Sequence, residues 1–225
     1  MVLLLDVLKL SLRFVLCFIV QFIVETVAKK NVWNWWPVYG TIVDFVCLLI
    51  IRYEGKKSNM GLVGMIKNRF FVKKTVIRSI LVGLVYIPIA VIGVVSAQII
   101  IYGKESPPKY IGGLPGFAKL YSISVFPVIW GFTEDLFYLG CFLPRIRKST
   151  NSFLSYLIVG FFWALQHMAL PYIPDIQYLI FRFISHIPLC IIIFTLYSKL
   201  GSDISPLIVS HIFVNMFALI TVSLQ

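Results

Sequence analysis

Long apolar runs, broken by short polar clusters, make up most of this chain. The first run covers about 10–28, with Asp6, Lys9 and Arg13 near its start and Lys29 and Lys30 after it. The second follows Trp33, Trp35 and Trp36, which fit an interfacial aromatic belt, and ends near Tyr53. A third covers about 76–102 and contains Pro88; further runs cover about 120–146, 152–169 and 177–199. The last begins near Pro206 and continues to the C-terminus. Each is of helix length and too uniformly apolar for an alternating barrel strand. Only helices or closed barrels satisfy their backbone in lipid. The pattern therefore predicts an all-α, polytopic transmembrane helix bundle of about seven spans, forming a single integral-membrane domain over 1–225.

The breaks between runs carry the charge. The connection 54–78 alternates basic residues with Met60, Leu62, Ile66, Phe70 and Phe71. It reads either as a segment lying on the membrane surface or as a solvated loop. A Gly/Pro-rich stretch near 103–116 is the clearest break. With the N-terminus inside, Lys9, Arg13, the basic 54–78 connection, Arg145, Arg147, Lys148 and Lys199 all fall on the inner side. Lys29, Lys30, Lys104, Lys109 and Lys119 fall outside, so the asymmetry favours a cytoplasmic N-terminus in a multi-pass cell-membrane protein. No small-residue cleavage site follows the first run, which is expected to be retained.

Composition agrees. Of 225 residues, 60% are hydrophobic and 13% charged, against roughly 45–50% and about 25% in soluble domains. The mean hydropathy is +0.94. The net charge of +11 sits in loops, which points to topology and anionic lipid and away from nucleic acid. Cys17, Cys47, Cys141 and Cys190 stand singly in apolar runs, so neither a disulfide framework nor a cysteine metal site is indicated.

Against this background, Glu134 and Asp135 stand side by side inside an apolar span. A charge at bilayer depth costs about 2.5–3.5 kcal/mol on insertion scales and marks a candidate site. Asp44 is a lone acid and reads as a structural group. All three histidines, His167, His186 and His211, are in apolar spans. If the fourth and fifth spans form an antiparallel hairpin turning near Thr150, Glu134 and His167 reach nearly the same depth, at ~1.5 Å per residue. His211 and Asn215 are i and i+4 and share a helix face. Glu134, His167, His211 and Asn215 are thus able to converge on one intramembrane pocket. A carboxylate and an imidazole can deprotonate a water, while a second imidazole and an amide stabilise an oxyanion. The same Glu134, His167 and His211 could instead ligate zinc with an open position for water.

At these residues the chain resembles the CPBP family, the CAAX proteases and bacteriocin-processing enzymes also called Abi proteins. The family's EExxxR motif corresponds to Glu134-Asp135-Leu136-Phe137-Tyr138-Leu139, with Leu143-Pro144-Arg145 after it. Its aromatic-xxx-His motif corresponds to Trp163-Ala164-Leu165-Gln166-His167, and its HxxxN to His211-Ile212-Phe213-Val214-Asn215. The resemblance covers about 120–225. It implies that Glu134 and His167 activate water, that His211 and Asn215 stabilise the oxyanion, and that Asp135 belongs to the catalytic set. It allows a metalloprotease or a metal-free hydrolase. The implied function is an intramembrane endopeptidase acting on a peptide precursor or, as a weaker expectation, a prenylated protein. The alternative is a non-catalytic membrane partner giving bacteriocin immunity or regulating a sensor. Leu139 stands where the motif has Arg, so Asp135 needs another partner. Arg182 is the expected substitute, with His186 one turn along lining the same pocket; otherwise Arg182 snorkels to the headgroups.

Overall fold

The computed structural model describes residues 2–29, 32–57, 72–108 and 114–223, and these are helical apart from turns and connections. Helix α1 is Val2–Ala28; after a 3₁₀ turn at Trp33–Trp35 comes α2, Trp36–Lys57, and then α3, Lys73–Tyr102. The fourth span, Gly116–Ser149, is composite. It joins α4 (Gly116–Ser124), α5 (Phe126–Asp135), a π-helical stretch (Leu136–Phe142) and α6 (Leu143–Ser149). Helices α7 (Ser152–Ala169), α8 (Ile176–Lys199) and α9 (Ser205–Ser223) complete the chain. Six helices are long and apolar enough to cross a membrane, and the one starting at Ser205 is a shorter apolar helix. This is the expected all-α multi-pass bundle.

Local chemistry sets the boundaries. Asn151 accepts a hydrogen bond from Leu154 N at 2.8 Å, and Asp175 accepts one from Gln177 N at 2.8 Å, so both cap helix N-termini. Gly103, at φ +62°, ends α3 in a conformation that favours glycine. Pro144 has no N–H, and its ring excludes a normal α-helical turn against Gly140. The chain answers with a wider turn, in which Leu143 N–H donates to the Tyr138 carbonyl five residues back.

The helices close into a ring in which each packs on two neighbours, in the order α1, α2, α5, α9, α3, α8, α7 and back to α1. The fourth span is the most enclosed, with residues buried along all sides of α5 and the π stretch. By contrast α3 leaves Ile80, Leu84, Ile92, Ile99 and Ile100 outward, as a lipid-facing helix does. It reaches α8 closely at Gly93, where a methyl group would overlap the Ser185 carbonyl oxygen.

Three expectations change. Helix α1 starts at Val2 and not near residue 10, which puts Asp6, Lys9 and Arg13 inside it. Asp6 and Arg13 are buried, each against an ion partner. Arg145 lies 2.8 Å from Asp6 and also pairs with Glu54, which in turn lies 2.6 Å from Lys9. Trp36 is likewise a core residue, edge-on to Phe126 and Trp130, while Trp33 and Trp35 are only partly buried. Within the basic connection, residues 58–71 lie outside the described residues; its flanks Lys56, Lys57, Lys73 and Lys74 are exposed. Arg78 lies 3.9 Å from Asp203, so the start of α3 meets the turn after α8.

Candidate active site

Glu134 and Asp135 close α5 just before the π stretch, and both are buried. Adjacent helix positions point about 100° apart, so the two acids face different neighbours. Glu134 faces α7. Trp163, Gln166 and His167 occupy i, i+3 and i+4 there, hence one face. Trp163 Nε1 and Gln166 Nε2 both donate to Glu134 Oε1, and His167 Nε2 lies 3.4 Å from the same oxygen. The other oxygen, Oε2, has no hydrogen-bond partner among the described residues.

Asp135 faces α9, where its Oδ1 lies 2.9 Å from His211 Nδ1. A carboxylate can only accept, so Nδ1 carries the hydrogen and the ring turns Nε2 away from the acid. One turn along α9, Asn215 Nδ2 is buried and has no partner among the described residues. Such a donor costs about 1–3 kcal/mol while it stays unpaired, and structures keep few of them.

Glu134, His167, His186, His211 and Asn215 line one cavity of about 50 Å³, together with Tyr86, Trp163, Leu189, Cys190, Ile193 and Val214. That is room for more than one water in a cavity lined by the two residues that carry the unpaired atoms. His186 stacks on His167, with ring centroids 3.5 Å apart, and its Nδ1 lies 2.7 Å from the Arg182 carbonyl oxygen. Tyr86 comes from α3, edge-on to His211 at 5.7 Å.

Arg182 is not the partner of Asp135. Its Nε donates to the His167 carbonyl at 3.0 Å and its Nη2 to the Leu170 carbonyl at 3.1 Å. Helix α7 ends at Ala169, so its last carbonyls lack helical donors, and the guanidinium fork satisfies that end. It neither stays unpaired nor snorkels; the role expected of it beside Asp135 falls to His211.

Glu134, His167 and His211, the expected zinc ligands, all line this cavity. Among the described residues no three His, Cys, Asp or Glu side chains are placed to hold a metal ion. Glu134 Oε1 is held by two N–H groups and His211 Nδ1 faces Asp135, so Glu134 Oε2 and His211 Nε2 are the atoms a metal would have to use. A tetrahedral site needs three ligands aimed at one point at about 2 Å. The reaction below is written without a step through a metal.

Several contributors were not singled out from sequence. Gln166 precedes His167 and shares a face with Trp163, which was the available signal. Tyr138 stacks on Trp163 at 5.0 Å and donates to Gln166 Oε1 at 3.1 Å. Arg13 and Asp44 form a fully buried pair at 2.8 Å, and Arg13 also reaches Gln166. Opposite charges inside two separate spans were the hint, since each must find a partner in lipid.

Residues 116–217, which carry Glu134, Asp135, His167, His211 and Asn215, match the family described as type II CAAX prenyl endopeptidase Rce1-like. This agrees with the resemblance seen in the three motifs. No curated protein and no solved structure matches the chain.

Proposed function

We propose, from a chain whose residues 116–217 are Rce1-like, that this protein is an intramembrane endopeptidase using a water activated by Glu134. The observation that carries the reading is the asymmetric carboxylate: Oε1 is held by Trp163 and Gln166, Oε2 has no partner among the described residues, and Glu134 lines a water-sized cavity. Glu134 Oε2 takes a proton from water as the oxygen attacks the scissile carbonyl carbon. The oxyanion is met by Asn215 Nδ2–H and, when His211 is protonated, by its Nε2–H, while Nδ1–H is donated to Asp135. Glu134 then returns the proton to the departing nitrogen, the C–N bond breaks, and a carboxylate and an amine leave. His167, which lies beside Oε1, orients the water at Oε2 and is itself held by the stacked His186.

The substrate is a peptide or lipidated-protein precursor presented from the membrane. An apolar groove of about 650 Å³ between α7 and α8 is lined by Tyr156, Leu157, Phe161, Ile187, Ile191 and Phe194, among others. It shares Cys190 with the cavity, which makes it the side from which an apolar substrate segment approaches. The matching family favours a prenylated CAAX substrate, and the test follows. The purified protein in micelles, given a farnesylated peptide quenched across the bond after the modified cysteine, should release the last three residues as one fragment. An unprenylated copy of the peptide should react more slowly. No cleavage of either would remove the protease reading and leave a non-catalytic membrane role.

The orientation proposed with it puts the N-terminus in the cytoplasm. A reporter inserted after Lys57 should read as cytoplasmic and one fused after Gln225 as external. Finding both on one side would refute the seven-span orientation.

A further inference from the structure

Arg13 lies on α1, outside the family-matched segment, and its side chain is wholly buried. Its Nη2 donates to Asp44 Oδ1 at 2.8 Å, its Nε donates to Gln166 Oε1 at 2.6 Å, and its guanidinium carbon lies 4.5 Å from the centre of the Trp130 ring. The chain of contacts therefore runs from Asp44 on α2, through Arg13 on α1 and Gln166 on α7, to Glu134 on α5.

A glutamine amide has nearly the same shape in its two orientations, so its neighbours decide which way it points. Here Arg13 Nε–H donates to one end, and the Tyr138 hydroxyl, whose single hydrogen is shared between that end and the Phe162 carbonyl, lies 3.1 Å from it. The carbonyl must occupy that end, and the NH₂ is turned toward Glu134. Reversed, the amide would set its NH₂ against the Arg13 N–H and its carbonyl against the carboxylate. Tyr138 cannot decide this alone, because a hydroxyl also accepts hydrogen bonds; Arg13 only donates. We propose that Arg13 is a positioning residue for the reaction: acting through Gln166, it fixes Glu134 Oε1 and so leaves Oε2 free for water. Asp44 holds the guanidinium in place and balances its charge. The inference rests on the endopeptidase reading for its kinetic consequence and on the contacts alone for its geometric one.

The experiment compares kcat and KM for the farnesylated peptide. Replacing only Arg13 would strand Asp44 in the core, so the pair is removed together as Arg13→Leu/Asp44→Leu, an apolar swap that buried ion pairs commonly tolerate. This variant should accumulate in the membrane as wild type does, lose about 10–100-fold in kcat, and keep KM within about twofold. Gln166→Leu should lose a comparable amount. Combining all three changes should lose no more than Gln166→Leu does, since residues acting through one another are not additive. Unchanged kcat in the double variant, or a loss that multiplies in the triple variant, would overturn the proposal. Arg13→Lys covers the case in which the double variant does not accumulate. It keeps the charge facing Asp44 but lacks the planar fork that reaches both partners. A wild-type kcat there would equally overturn it. A second measurement does not need catalysis. The indole ¹⁵N–H resonance of Trp163, assigned by its loss in Trp163→Phe, should move to the same position in Gln166→Leu and in the Arg13/Asp44 variant. An unmoved resonance in the latter sinks the geometric claim. Absence of cleavage by wild type sinks only the endopeptidase reading.

Discussion

Glu134→Gln should lower kcat for the farnesylated peptide by about 10²-fold or more, the scale of a general base. The two donors that hold the native carboxylate make this substitution clean. Trp163 Nε1–H and Gln166 Nε2–H require an acceptor at the Oε1 position, so the new amide must place its oxygen there. Its NH₂ then occupies the place of Oε2, where it cannot accept a proton from water. Packing is unchanged, so membrane level and thermal unfolding should match wild type. Parallel measurement of kcat, KM and melting temperature checks this. Equal kcat in wild type and Glu134→Gln would rule out Glu134 as the base.

Asn215→Ala has the second largest expected effect, a fall in kcat of about 10²–10³-fold, as for other single oxyanion donors. The buried Nδ2 has no partner among the described residues, so it contributes no hydrogen bond to the resting fold. Truncation should leave stability unchanged or slightly raise it, since an unpaired buried donor is removed. KM should also stay constant, because the hydrogen bond forms only as charge develops on the oxygen. Kinetics and a melting curve of one preparation separate the two quantities. A loss of less than about threefold would assign the oxyanion to other donors, with His211 first among them.

The two effects differ in origin. Glu134 is held by its neighbours before the reaction starts, whereas Asn215 waits for its partner. The buried Asp135–His211 pair also gives His211 a fixed orientation. In a dry interior such a pair is favourable only with good geometry, and the 2.9 Å contact meets that condition. Arg182 shows the same economy elsewhere: a buried guanidinium settles on carbonyls that the end of α7 leaves bare.

Much of this was legible along the chain. Apolar runs of helix length leave lipid-spanning helices as the solution, because an unpaired backbone group is too costly in hydrocarbon. The equal depth of Glu134 and His167 follows from helical rise on two antiparallel spans, and the shared face of His211 and Asn215 from the helical repeat. These are local regularities, and the cavity that joins the four residues obeys them. Tertiary structure alone decided the pairing of polar groups. Sequence shows that Arg13, Asp44, Asp135 and Arg182 each need a partner in lipid. Which partner depends on the order of helices around the ring and on how each is rotated about its axis. Because α1 lies between α2 and α7, Arg13 meets Asp44 and Gln166. Because α9 lies beside α5, Asp135 meets His211 and leaves Arg182 to the end of α7. The helical repeat within one span carries no information about rotation relative to another, and that rotation is what turned separate polar residues into one site.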